Sequence, residues 1–138
     1  MNYYNSFIAI APDSIATHGS IPPCRDGARS IPAIEYDLLS RQPHFYTQEE
    51  LQFAVYLERE GISLSEAKAK HKQLWEQFFS KPRACLRGSS LPKKYGWGLH
   101  FDKDGKIALV AVDSSDYRKF SSSKDFKVMP ALRSKRAE

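Results

Sequence analysis

Residues 83–112 read RACLRGSSLPKKYGWGLHFDKDGKIALVAV, and the second half of this stretch decides the fold. Trp97 to Phe101 alternates large apolar residues with glycine and histidine, and Lys106 to Val112 ends in an apolar run. Between them, Asp102-Lys103-Asp104-Gly105 supplies a short loop whose glycine suits a left-handed backbone, so the two segments are predicted to form an antiparallel hairpin. Pairing Asp102 with Lys106 sets Trp97, Leu99 and Phe101 on one face, opposite Ile107, Leu109 and Ala111. Burial of such side chains contributes ~1.5–3 kcal/mol each, so this face is core and a slip of one residue is strongly disfavoured. The opposite face carries Gly96, Gly98 and His100 beside Ala108 and Val110, a histidine among small residues.

Upstream of the hairpin, the chain reads as helices. Thr47-Gln48-Glu49-Glu50 is a capping box, in which Thr47 accepts from the Glu50 amide and the Glu50 carboxylate reaches back. The helix it opens carries Leu51, Ala54, Val55 and Leu57 and stops at Gly61. Ser63-Leu64-Ser65-Glu66 opens a further helix with Ala67, Leu74, Trp75 and Phe78 on one stripe, ending before Pro82. The short turn between them predicts an antiparallel helical pair. Ser30 caps an earlier helix with Ile31, Ile34, Leu38 and Leu39 at helical spacing, although the alternation through Ala33 to Leu38 also fits a strand.

At the N-terminus, SFIAIA (residues 6–11) is an apolar run closed by Pro12-Asp13 and reads as a buried strand. Residues 13–29 hold serine, threonine, glycine and the pair Pro22-Pro23, a long connection that either serves function or wraps the fold through Ile15 and Ile21. Past Pro82, residues 84–86 read as a brief strand and 88–92 as a loop. Ser114 caps a short helix with Tyr117 and Phe120, and residues 126–132 give a last strand in which Pro130 indicates a sheet edge. The fold class is α+β: a single domain with a small, predominantly antiparallel sheet packed against the helical pair.

The totals agree with one folded domain, since 138 residues, 41% hydrophobic and 12% aromatic, suffice for a core without disulfides or metals. The formal charge of +5 favours anionic partners, but part of it lies in residues 133–138, expected to be a flexible basic tail. Cys24 and Cys85 form no CxxC pair and join no zinc-type cluster, so no structural metal is implied. No run approaches the ~20 apolar residues of a membrane span. No basic-then-apolar leader precedes the fold either, and a cytoplasmic protein with reduced thiols is expected.

Three functional readings follow. Arg83, Arg87, Lys93 and Lys94 precede the hairpin, and a small anionic or polar ligand is expected between this loop and the His100 face, with Arg87, Lys93 and Lys94 contacting the anion, Tyr95 and His100 orienting it, and the Gly88-Ser89-Ser90 amides as further donors. The spacing matches neither a Walker A loop nor a dinucleotide fingerprint. In an enzymatic reading His100 is the acid/base and Cys85 the nucleophile. In a third, the basic surface with Tyr95 and Trp97 binds nucleic acid or a protein partner, although Trp97 is assigned to the core face and no RNA-recognition or helix-turn-helix signature accompanies it. His71 lies on an apolar stripe and is structural, while Glu35 and Asp37 flank Tyr36 without converging. The cofactor and the oligomeric state are both left open.

The chain resembles a family of small bacterial proteins classed as a domain of unknown function. The resemblance is carried by NYYNSFI at residues 2–8, Tyr46-Thr47 leading to Phe53-Ala54-Val55-Tyr56, Gln77-Phe78-Phe79-Ser80-Lys81, and Lys94-Tyr95-Gly96-Trp97-Gly98-Leu99-His100. It spans most of the chain and implies a whole domain of that family, with no activity or catalytic residue to carry over.

Overall fold

The structure, a computed structural model, describes residues 2–24 and 29–134. Residues 135–138 of the expected basic tail, and 25–28 of the long early connection, lie outside that range.

The hairpin forms in the expected register. Strands β2 (Trp97–Phe101) and β3 (Ile107–Ala111) pair antiparallel, with Trp97 opposite Ala111, Leu99 opposite Leu109 and Phe101 opposite Ile107. The loop is closed by the Asp102 carboxylate, which accepts from the Asp104 and Lys106 amides at 2.9 Å, and Gly105 takes φ +79°. The N-terminal run forms β1 (Ser6–Ala9), antiparallel to β2. The last strand, β4 (Lys127–Pro130), is parallel to β1, giving the order β3-β2-β1-β4. The sheet is therefore mixed. Helix α6 (Ser115–Ser122) carries the chain from one sheet edge to the other across one face, so β4 arrives in the same direction as β1. Pro130 lies on this edge strand, where its missing N–H costs no ladder bond.

Helix α1 (Ile31–Arg41) resolves the helix-or-strand ambiguity: the Ser30 hydroxyl accepts from the Ala33 amide, and Pro32 falls in the first turn. Helix α2 (Gln48–Arg59) begins at the complete Thr47–Glu50 capping box. The following helix, expected to be continuous, breaks at Lys70 into α3 (Leu64–Ala69) and α4 (His71–Phe78). Beyond the break, Leu74 and Phe78 meet Phe53 of α2 in a small aromatic core of their own. The main core joins Ile8, Leu99, Phe101, Ile107 and Met129 of the sheet to Ile34, Leu39, Leu51 and Val55 of α1 and α2.

Two segments depart from expectation. Residues 84–86 form no strand, and 88–92 form no open loop: a 3₁₀ turn, Leu86–Gly88, leads into α5 (Ser90–Lys94). The Ser89 hydroxyl accepts from the Leu91 amide, so a Gly-Ser-Ser-Leu-Pro sequence that looks like a loop is in fact a capped helix start. The extended chain before it is fixed by α2 side chains, with Gln48 Oε1 accepting from the Leu86 amide and Gln52 Nε2 donating to the Ala84 carbonyl.

The described part of the early connection wraps onto the hairpin. Trp97 Nε1 donates to the Ser20 carbonyl at 2.8 Å, and the Ser20 amide donates to the Tyr95 carbonyl at 2.9 Å. Gly96, at φ +77°, lies so close to this loop that an added Cβ would sit 2.2 Å from the His18 carbonyl oxygen.

Candidate functional site

The structure divides the residues singled out from sequence. His100 points away from the main core, but α6 covers it: its ring stacks on Phe120 (4.4 Å between centroids, 11° between planes) and meets Phe126 edge-on. The small neighbours serve packing, since a Cβ at Gly98 would collide with Phe7 and come within 3.0 Å of the Tyr117 ring. His100 is 8% exposed, and its Nδ1 lies 3.0 Å from His44 Nε2. Its buried Nε2 has no partner among the described residues. Burial, then the neighbouring His44, holds its pKa below the ordinary histidine value, with Asp102 opposing.

Cys85 lies on the other side of the sheet, in the extended segment between α4 and α5, so it is not brought to His100. Its neighbour is Tyr3, whose hydroxyl is pushed up to about 12 by burial first and then by Cys85. The bases separate as well. Arg87 Nε donates to the Pro130 carbonyl, and the Arg87 carbonyl accepts from Leu132, which ties the 3₁₀ turn to the end of β4. Lys93 and Lys94 line a separate groove of about 580 Å³ with Asp13 and Arg133. Tyr95 packs against the main core.

A different site is built around the Arg83–Ser89 segment. Between this segment, α1 and α2 lies a cleft of about 560 Å³, within the size range of small-molecule pockets. Ile31, Val55 and Leu86 supply apolar wall, and Arg59, Arg83 and Cys85 line it too. Arg83 is held in place, its guanidinium donating twice to the Phe78 carbonyl and lying 3.9 Å over the Phe78 ring.

Glu35 is the unusual group here. It projects from α1, is 5% exposed, and sits where this cleft meets a neighbouring one lined by Ser30 and Pro32. Ser89 Oγ donates to Glu35 Oε1 at 2.9 Å, and among the described residues no other donor reaches the carboxyl. Burial raises its pKa to about 7, against the opposing pull of the Ser89 hydrogen bond. Asp37, two residues along the same helix, behaves oppositely: Arg29 and then Arg41 hold it below the usual carboxylate range. The ion pairs of Arg29 with Asp37 and Glu58 join the start of α1 to the end of α2 beside the cleft.

Two signals in the sequence point to Glu35. Ile31, Ile34, Glu35 and Leu38 stand at i, i+3, i+4 and i+7, so a carboxylate occupies the apolar stripe of α1. In the Gly88-Ser89-Ser90 segment, with amides expected to face a ligand anion, it is the Ser89 hydroxyl that meets a carboxyl group, and that group belongs to the protein itself.

Among the described residues no group of three metal-ligating side chains converges, and no helix is long and apolar enough to cross a membrane. No curated protein and no solved structure matches the chain. A family model does match, over residues 1–137, and by that match the protein belongs to a family of unknown function, DUF6157.

Proposed function

We propose that the protein binds a small polar or anionic molecule in the cleft between α1, α2 and the Arg83–Ser89 segment. The observation that carries this reading is the Glu35 carboxyl, buried in the cleft with Ser89 as its one donor among the described residues. A carboxyl held almost wholly out of water with one hydrogen bond is costly to the fold, and such groups cluster where a ligand completes their contacts. The cleft offers apolar wall at Ile31, Val55 and Leu86, and cationic groups at Arg59 and Arg83 for an acidic group. In this reading the anionic ligand lies beside the helices rather than over His100, where Phe120 occupies the face. Cys85 stays in the site as part of the cleft lining.

A thermal-shift screen of small carboxylates, phosphates and amino acids tests it, with Glu35→Gln and Arg59→Ala run beside the wild type. Stabilisation should follow ligand concentration, by about 2.7 kcal/mol at a hundredfold excess over Kd, and should weaken in both variants. Ligands that stabilise wild type and both variants equally would place binding elsewhere.

A further inference from the structure

We propose that the ligand of this cleft is amphoteric, with a protonated amine that donates to the second Glu35 oxygen and an acidic group held by Arg59 and Arg83. The inference rests on the cleft being the binding site and names the class of molecule it selects.

The hydrogen bonding at Ser89 sets the argument. Its oxygen accepts from the Leu91 amide, which leaves the single hydroxyl proton to be donated to Glu35 Oε1. The second carboxyl oxygen has no donor among the described residues. The protein thus provides half of what a carboxylate needs, and burial favours the neutral acid. An ammonium group beside the second oxygen supplies both the missing donor and the opposite charge, in surroundings where such a pair is stronger than in water. On binding, the O–H bond of the neutral Glu35 breaks, its proton passes to solvent, and the carboxylate accepts an N–H of the ammonium, so atoms and charge balance.

The charged and titratable groups that line the cleft with this carboxyl are Tyr56 and Arg59 from α2, Glu60 at its C-terminal cap, and Arg83 and Cys85 from the segment before the 3₁₀ turn. From the neighbouring cleft comes Arg29, already engaged by Asp37 and Glu58. Arg59 has no carboxylate partner among the described residues. A simple amine would leave the Arg59 and Arg83 charges without an anion and a simple carboxylate would leave the second Glu35 oxygen without a donor, whereas a molecule with both groups satisfies both ends.

The full chain can be titrated with three probes of matched size: phenylalanine, 2-phenylethylamine and 3-phenylpropionate. Amide chemical shifts at Leu86, Gly88 and Ser89 report occupancy, and calorimetry in buffers of different ionisation enthalpy counts protons. Phenylalanine should bind most tightly, about tenfold tighter at pH 8 than at pH 6, with close to one proton released at pH 6. Glu35→Gln should remove the pH dependence and at least tenfold of the affinity for both amines, leaving 3-phenylpropionate unchanged. Ser89→Ala, which keeps the carboxyl, should move the midpoint of the pH dependence upward. Proton-neutral binding at pH 6, or 3-phenylpropionate binding as tightly as phenylalanine, overturns the amphoteric class while leaving the cleft a binding site. If none of the three probes moves those amides, the amphoteric class falls, and the screen of carboxylates, phosphates and amino acids decides the binding reading separately.

Discussion

Glu35 and His100 are both buried and both disfavour their charged forms, and they act on stability in opposite directions with pH. For Glu35, the folded state keeps a proton up to about pH 7 that the unfolded chain releases near its ordinary 4.5. Its contribution is complete below 4.5 and is lost as pH rises to 7, a cost of up to about 3 kcal/mol. Glu35→Gln should therefore be more stable than wild type at pH 8, by roughly 2–3 kcal/mol, and within about 0.5 kcal/mol of it at pH 4. Urea unfolding at the two pH values checks this, and a variant that loses stability at pH 8 would count against a neutral buried acid. For His100, the folded pKa lies below the usual 6.5, so the unfolded chain takes up its proton first as pH falls. Its contribution is present above pH 6.5 and fades below it. His100→Phe keeps a ring against Phe120 and should flatten the loss of stability between pH 6.5 and 5, measured by the same unfolding experiment.

Among the elements, α6 is the most lightly held. None of its residues is buried, and it rests on the sheet through Tyr117 and Phe120, with the Tyr117 hydroxyl accepting from the Ile10 amide at 2.9 Å. Phe120→Ala should cost about 1–3 kcal/mol, below the 3–5 kcal/mol of a fully buried phenylalanine. Amide exchange should then speed up in α6 while β1, β2 and β3 keep their protection. Exchange that instead rises evenly through the sheet would show that α6 is part of one cooperative unit. The capped starts of α1, α2, α3 and α6 were legible because Ser30, Thr47, Ser63 and Ser114 each satisfy an amide within their own turn. Residues 83–89 were not, because the partners that set their path, Gln48, Gln52 and Glu35, come from helices more than thirty residues away in sequence.

In the molecule as a whole, two cores of unequal size meet along α2. Leu51 and Val55 face the main core, and Phe53 faces Leu74 and Phe78. The α3–α4 unit joins the rest through this small aromatic cluster, so its amides should exchange by local opening at lower free energy than those of the sheet. Phe78→Ala, at about 3–5 kcal/mol for a buried ring, should release α4 and also loosen the Arg83 side of the cleft, since Arg83 is tied to Phe78. Native-state exchange of that variant would show both effects together, and exchange confined to α4 would mean that the cleft wall stands without Phe78. By itself the sequence determined the hairpin register, the core face of Trp97, Leu99 and Phe101, and the principal helix starts, because those depend on strand alternation and on hydrogen bonds between near neighbours. Only the tertiary structure decided that β4 runs parallel to β1, that Phe120 covers His100, and that Glu35 meets Ser89 across a cleft. Each of these depends on how separate elements dock, and the energy of docking is set by shape and burial rather than by local pattern.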